Sequence, residues 1–122
     1  MFDHIGIVVS DLERSRAFYT DVLEPLGYRE LVQYEDAVAF GRERPMFWLS
    51  TGEPAASRSP THIAFTGSTR LDVEAFHRAA LAAGGIDNGA PGLRPQYHAN
   101  YYAAFVMDPD GNNVEAVCRR AA

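Results

Sequence analysis

The chain has 122 residues, 47% hydrophobic and 22% charged, with a formal net charge of −5 at pH 7. That length holds one domain with a real core, the composition is ordinary for a globular protein, and the acidic balance argues against a nucleic-acid surface. A single cysteine excludes an internal disulfide and makes a reducing cytoplasm the expected compartment. No apolar run nears the ~20 residues of a membrane span, and the N-terminus enters a strand directly, with no signal peptide.

Residues 2–9 are rich in β-branched side chains and read as a strand. Ser10-Asp11-Leu12-Glu13 has the form of a capping box, with Ser10 as N-cap and Glu13 three residues on. The helix it opens places Leu12, Tyr19, Val22, Leu23 and Leu26 near helical spacing, and Gly27 ends it. Short strands follow at 28–34, 37–41 and 46–50. Residues 52–60, rich in Gly, Pro, Ala and Ser, read as a linker between a first module, 1–51, and a second, 61–119. The pattern then restarts with a strand at 61–66 and a helix at 71–83, whose Val73, Phe76, Ala80 and Leu81 face inward. Gly84-Gly85 stops that helix. A weak strand at 86–93 and two firmer ones at 101–107 and 112–118 complete the order βαβββ-βαβββ, a tandem repeat in one α+β domain.

Asp108-Pro109-Asp110-Gly111 carries Pro at the second turn position and Gly at the fourth, the signature of a type I turn closed by a G1 bulge. The register that follows pairs Met107 with Asn113 and Phe105 with Glu115. Glu115 then shares a face with Phe105, Ala103 and Tyr101, while Val114, Ala116, Cys118, Tyr102, Ala104 and Val106 form an apolar side suited to packing under a helix. In the opening strands, His4, Gly6 and Val8 oppose Ile5, Ile7 and Val9, and His62, Ala64 and Thr66 oppose Ile63 and Phe65. Each histidine is followed on its own face by a very small residue, which leaves room beside a ligand. Two imidazoles and one carboxylate, His4, His62 and Glu115, are what a divalent ion needs to be held with positions open for substrate.

The double βαβββ plan, the openings Asp3-His4-Ile5-Gly6-Ile7-Val8 and Thr61-His62-Ile63-Ala64-Phe65, and the ending Asp108-Pro109-Asp110-Gly111-Asn112-Asn113-Val114-Glu115 resemble the vicinal oxygen chelate superfamily. That group includes glyoxalase I, extradiol dioxygenases, fosfomycin-modifying thiol transferases and bleomycin-binding proteins. The resemblance implies an open, cupped, mostly antiparallel sheet with helices outside, and one divalent ion (Fe, Mn, Ni or Zn) at His4, His62 and Glu115. It implies a homodimer acting on a small molecule, with the metal site held in one chain or assembled across two. Glyoxalase I enzymes usually add a fourth ligand where this chain has Trp48. Extradiol dioxygenases place an acid–base Tyr opposite the glutamate, where this chain has Phe105.

The expected activity is a metal-dependent lyase or isomerase step of the glyoxalase kind on a small oxygenated metabolite or thiol adduct. An extradiol-type dioxygenase and a non-enzymatic drug-binding resistance protein are the alternatives. Glu115, His98 and Tyr101 are the candidate catalytic groups, and Trp48, Phe105, Tyr97 and Arg94 the candidate substrate contacts. Trp48 can equally be plain core. The polar, aromatic stretch 94–101 reads either as a lid carrying His98 or Tyr101 for proton transfer, or as a surface loop that meets a second subunit. His77 reads as a solvated helix residue and Cys118 as a small core hydrophobe.

Overall fold

In the computed structural model of the chain, which describes residues 1–52 and 61–122, the strands gather into two four-stranded sheets. The first half supplies β1 (Ile5–Val9), α1 (Leu12–Leu23), a 3-10 turn at Glu24–Leu26, β2 (Arg29–Gln33), β3 (Ala37–Gly41) and β4 (Pro45–Thr51). The second supplies β5 (His62–Thr66), α2 (Arg70–Ala82), β6 (Ile86–Leu93), β7 (Tyr102–Met107) and β8 (Asn113–Cys118). The sheet orders are β1-β4-β3-β2 and β5-β8-β7-β6, so the repeat read from sequence is a repeat of topology. The first and last strands of each half run parallel and the other pairs antiparallel. The expected linker, apart from Gly52, lies outside the described residues.

Both helices press their apolar stripes onto one face of the sheets. Phe18, Tyr19 and Val22 of α1 and Val73, Phe76 and Ala80 of α2 share one cluster with Val9, Phe40, Leu49, Val106 and Ala116. Val114, Ala104 and Cys118 join them, as the period-two alternation of β7 and β8 requires. The hairpin register holds residue for residue, Phe105 opposite Glu115 and Met107 opposite Asn113. Its turn closes through Gly111 N–H donating to Asp108 O, with Gly111 at φ +81°, a conformation in which a Cβ is strained.

That turn also bolts the two halves together. The buried Asp108 accepts from Tyr19 OH (2.6 Å), Asn112 Nδ2 (2.9 Å) and the backbone N–H groups of Asp110 and Asn112. Burial beside this carboxylate pushes the Tyr19 hydroxyl well above its ordinary pKa.

Leu81, expected to face inward on α2, is exposed, and three further local expectations need correction. The N-cap of α1 is Asp11, whose carboxylate accepts from Arg14 N–H, while the Ser10 hydroxyl donates instead to Asp110 of the distant hairpin. A charged acceptor fixed by tertiary structure outcompetes the local capping box. The capping box that does form is Thr69 with Asp72, at the head of α2. Residues 2–4 stay outside the first strand, which begins at Ile5. His77 is buried, its Nε2 2.9 Å from Asp87 Oδ1, because β6 brings a carboxylate against that helix face.

Candidate functional site

The parallel pairings decide what stands beside each histidine. Ala64 of β5 pairs with Glu115 of β8, and at the equivalent place in the first sheet Gly6 of β1 pairs with Trp48 of β4. The two halves thus carry His62 with Glu115, and His4 with Trp48.

In the second sheet the groups converge. His62 Nε2 lies 3.1 Å from Glu115 Oε1, and Glu115, on the central strand β8, is 2% exposed. The Tyr101 hydroxyl donates to Glu115 Oε2. Phe105, across the ladder from Glu115, stacks on the His62 ring with centroids 6.4 Å apart. Behind these sit Tyr97, edge-on to Tyr101 at 5.1 Å, and Arg94, whose guanidinium carbon lies 5.4 Å above the Phe105 ring. Burial, then the bond to Glu115, pushes the Tyr101 hydroxyl up to about 12, so it stays protonated at neutral pH and acts as a donor.

His62 is held from behind. Its Nδ1 is 3.1 Å from the Asn113 carbonyl, which only accepts, so that partner assigns the hydrogen to Nδ1 and leaves Nε2 with a lone pair in the neutral ring. Nε2 and the Glu115 oxygen are then two electron-pair donors at close range, an arrangement that calls for a proton or a cation. Two ligand atoms each about 2.1 Å from a divalent ion and at right angles stand about 3.0 Å apart. The observed 3.1 Å fits that spacing, and the backbone anchor on the far nitrogen is the support metal-bound imidazoles commonly have.

The remaining candidates lie elsewhere. His4 precedes β1, is exposed, and pairs through Nδ1 with Asp3 at 2.8 Å; Asp3 is held in turn by Arg44. Trp48 is half-buried on the first sheet and stacks on Tyr34, centroids 6.2 Å apart. His98 lies in the turn between β6 and β7, where its Nδ1 accepts from Asn100 N–H. Among the described residues no three His, Cys, Asp or Glu side chains gather as a metal site requires. The single chain therefore brings together two of the three expected ligands.

Sequence reading overlooked several supports. The Asn113 carbonyl reaches His62 because the parallel β5–β8 ladder sets the two residues opposite each other, a pairing that no local signal announces. Arg119, 4.8 Å over the Tyr101 ring, follows from the alternation of β8 carried past the strand end. Tyr34 against Trp48 depends on a loop path that no local signal announces.

Comparison with known proteins bears on the fold and the family. The model of the Glyoxalase/Bleomycin resistance protein/Dioxygenase superfamily matches residues 1–116. The chain belongs to that superfamily. A glyoxalase/bleomycin resistance protein from Albidiferax ferrireducens T118 superposes with a TM-score of 0.83 at 30% identity, over 98% of this chain and 99% of that one. The uncharacterized protein YqjT of Bacillus subtilis (strain 168) is 28% identical over 130 residues, covering 93% of this chain and 95% of YqjT. The fosfomycin resistance protein FosX of Listeria monocytogenes shares the glyoxalase fold at a TM-score of 0.71 and 19% identity, over 96% of this chain and 88% of FosX. FosX was solved with Mn(II) and a dihydroxypropylphosphonic acid. No helix of the described residues is long and apolar enough to cross a membrane.

Proposed function

We propose that this chain is a divalent-metal-dependent lyase or isomerase of the glyoxalase kind, working as a homodimer on a small molecule with two adjacent oxygens. The observation that carries the reading is the buried Glu115 carboxylate facing His62 Nε2 at 3.1 Å, with Asn113 and Tyr101 fixing both groups from outside. Tyr101 donates to Oε2 alone, and a cation at Oε1 offsets the remaining cost of burying the charge. The Mn(II) bound by FosX, a member of the same fold, agrees with the ligand chemistry.

The third ligand, His4, comes from a second copy. β1 and β5 each end a sheet, with His4 and His62 at their leading ends, and Met1, Phe2 and Ile5 are exposed beside His4. Laying one copy's β1 beside the other's β5 covers both edges and repeats by twofold symmetry. A divalent ion so held would polarise the substrate's two oxygens and stabilise the oxyanion that develops. Tyr101 keeps the Glu115 carboxylate oriented and holds a proton at its hydroxyl, Phe105 keeps water from the His62 side, and Trp48 closes the cup from the partner's sheet. The Tyr34–Trp48 stack favours one second reading, a protein that sequesters a flat ligand without turnover.

The test is metal content and Mn(II) titration of the untagged protein beside His4→Ala, His62→Ala and an unfolded-and-refolded mixture of the two variants. Wild type should hold about one ion per chain and each variant far less. The mixture should regain about a quarter of wild-type capacity, because half the dimers are mixed and each has one intact site. No metal in wild type would leave the sequestering reading; iron would favour the dioxygenase; no recovery in the mixture would sink the shared site.

A further inference from the structure

The face that carries His62 and Glu115 also carries two guanidinium groups that the proposed metal chemistry does not use. Arg94 follows β6 and folds back over it. Its Nη1 donates to Gly92 O and its Nη2 to Ala90 O, both at 2.8 Å, and its plane lies over Phe105. The strand is shaped to seat it. β6 slips register at Gly89 and again at Gly92, and a Cβ at Gly89 would stand 2.9 Å from Phe105 Cδ1 and 3.3 Å from Arg94 Nη2. A Cβ at Gly92 would stand 3.1 Å from Nη1. The two carbonyls occupy two of five guanidinium N–H groups and leave three for a ligand. Arg119 lies over Tyr101, whose hydroxyl is bonded to Glu115. Arg42 and Arg70 also sit over rings, Tyr28 and Tyr102, without a carboxylate partner among the described residues, so what sets Arg94 and Arg119 apart is their place on the face of Glu115.

On this face Glu115 accepts from Tyr101 and turns its other oxygen to His62. A divalent ion at that carboxylate would add to the positive balance, which only an incoming anion can offset. We propose that the substrate is a small oxyacid: its carboxylate or phosphonate group is taken by Arg94, with Arg119 at the opposite rim, while its adjacent oxygens face His62 and Glu115. Arg94 and His62 both lie against the Phe105 ring. This assignment rests on the metal-enzyme reading for the oxygens but not for the anion.

The experiment follows the side-chain N–H signals of arginine-labelled protein by NMR, metal-free and loaded with Zn(II), during titration with phosphonoacetate or neutral acetamide. Arg94→Lys assigns the Arg94 signal. Phosphonoacetate should shift it saturably in both forms and acetamide should not. Arg94→Gln should weaken phosphonoacetate on the order of tenfold, as loss of a charge-assisted bond does, with Zn(II) affinity unchanged. An Arg94 signal indifferent to phosphonoacetate, or equal binding by Arg94→Gln, overturns the proposal. Failure of Zn(II) to bind defeats the metal reading alone, since the metal-free titration still decides on the anion.

Discussion

Tyr101→Phe removes one oxygen and leaves the ring between Tyr97 and Arg119. Glu115 Oε2 then loses its donor in a place water does not reach, the residue being 2% exposed. A hydrogen bond to a charged group contributes about 1.5–3 kcal/mol, and the orphaned oxygen retains its desolvation penalty. For a chain of this size that corresponds to a fall in Tm of about 5–12 °C. It should be measured at fixed protein concentration, because a dimer's Tm depends on it. The chelated protein isolates the hydrogen bond. The same substitution should weaken Mn(II) by about 10–100-fold, the usual effect of losing a residue that orients a ligand. The Tyr101 pKa is raised from 10.0 to about 12, so its contribution is fully present below pH 10 and is lost as pH climbs towards 12. The gap in stability between wild type and variant should shrink across that window. A variant within about 0.5 kcal/mol of wild type, with unaltered Mn(II) affinity, would refute the claim that Tyr101 holds the carboxylate.

Two further outcomes test the frame around the site. Asp108→Ala deprives Tyr19 OH, Asn112 Nδ2 and two backbone N–H groups of their acceptor, with Tyr19 and Asn112 fully buried. A loss of about 3–5 kcal/mol is expected, read as a lower urea midpoint at constant slope; a loss near that of a surface mutation would contradict the bolt. The bond from His77, then that from Gly89 N–H, holds the Asp87 carboxyl below its ordinary 3.8. A lowered pKa contributes stability above 3.8 that is lost as pH falls through the native value. Wild type should therefore converge on Asp87→Asn in acid, and a gap that persists along the whole acid limb would exclude the linkage.

What could be read locally in this chain is what local chemistry decides. The turn 108–111 fixed the β7–β8 register because Pro and Gly there admit few geometries, and from that register came the face shared by Tyr101, Phe105 and Glu115. Ser10 and His77 misled for one common reason. Each is governed by a carboxylate brought from another element, Asp110 for the serine and Asp87 for the histidine. A motif spanning four residues cannot register a competitor that far along the chain.

The metal triad was legible as a set of equivalent positions but not as a meeting place. A repeat shows that His4 and His62 occupy matching sites; it does not show that the matching sites converge, and β1 and β5 end different sheets. Under the proposed pairing, the twofold axis of a dimer does what the internal repeat cannot, placing the first half of one copy against the second half of the other. The divergence between halves then acquires a function. Trp48 stands in the first sheet where Glu115 stands in the second. Each cup so formed would hold two imidazoles and one carboxylate, and the positions facing the indole would stay open for the substrate's two oxygens. On that pairing a carboxylate at 48 would add a further ligand from the protein side, and Trp48 would limit the donors to three while offering the substrate an aromatic wall.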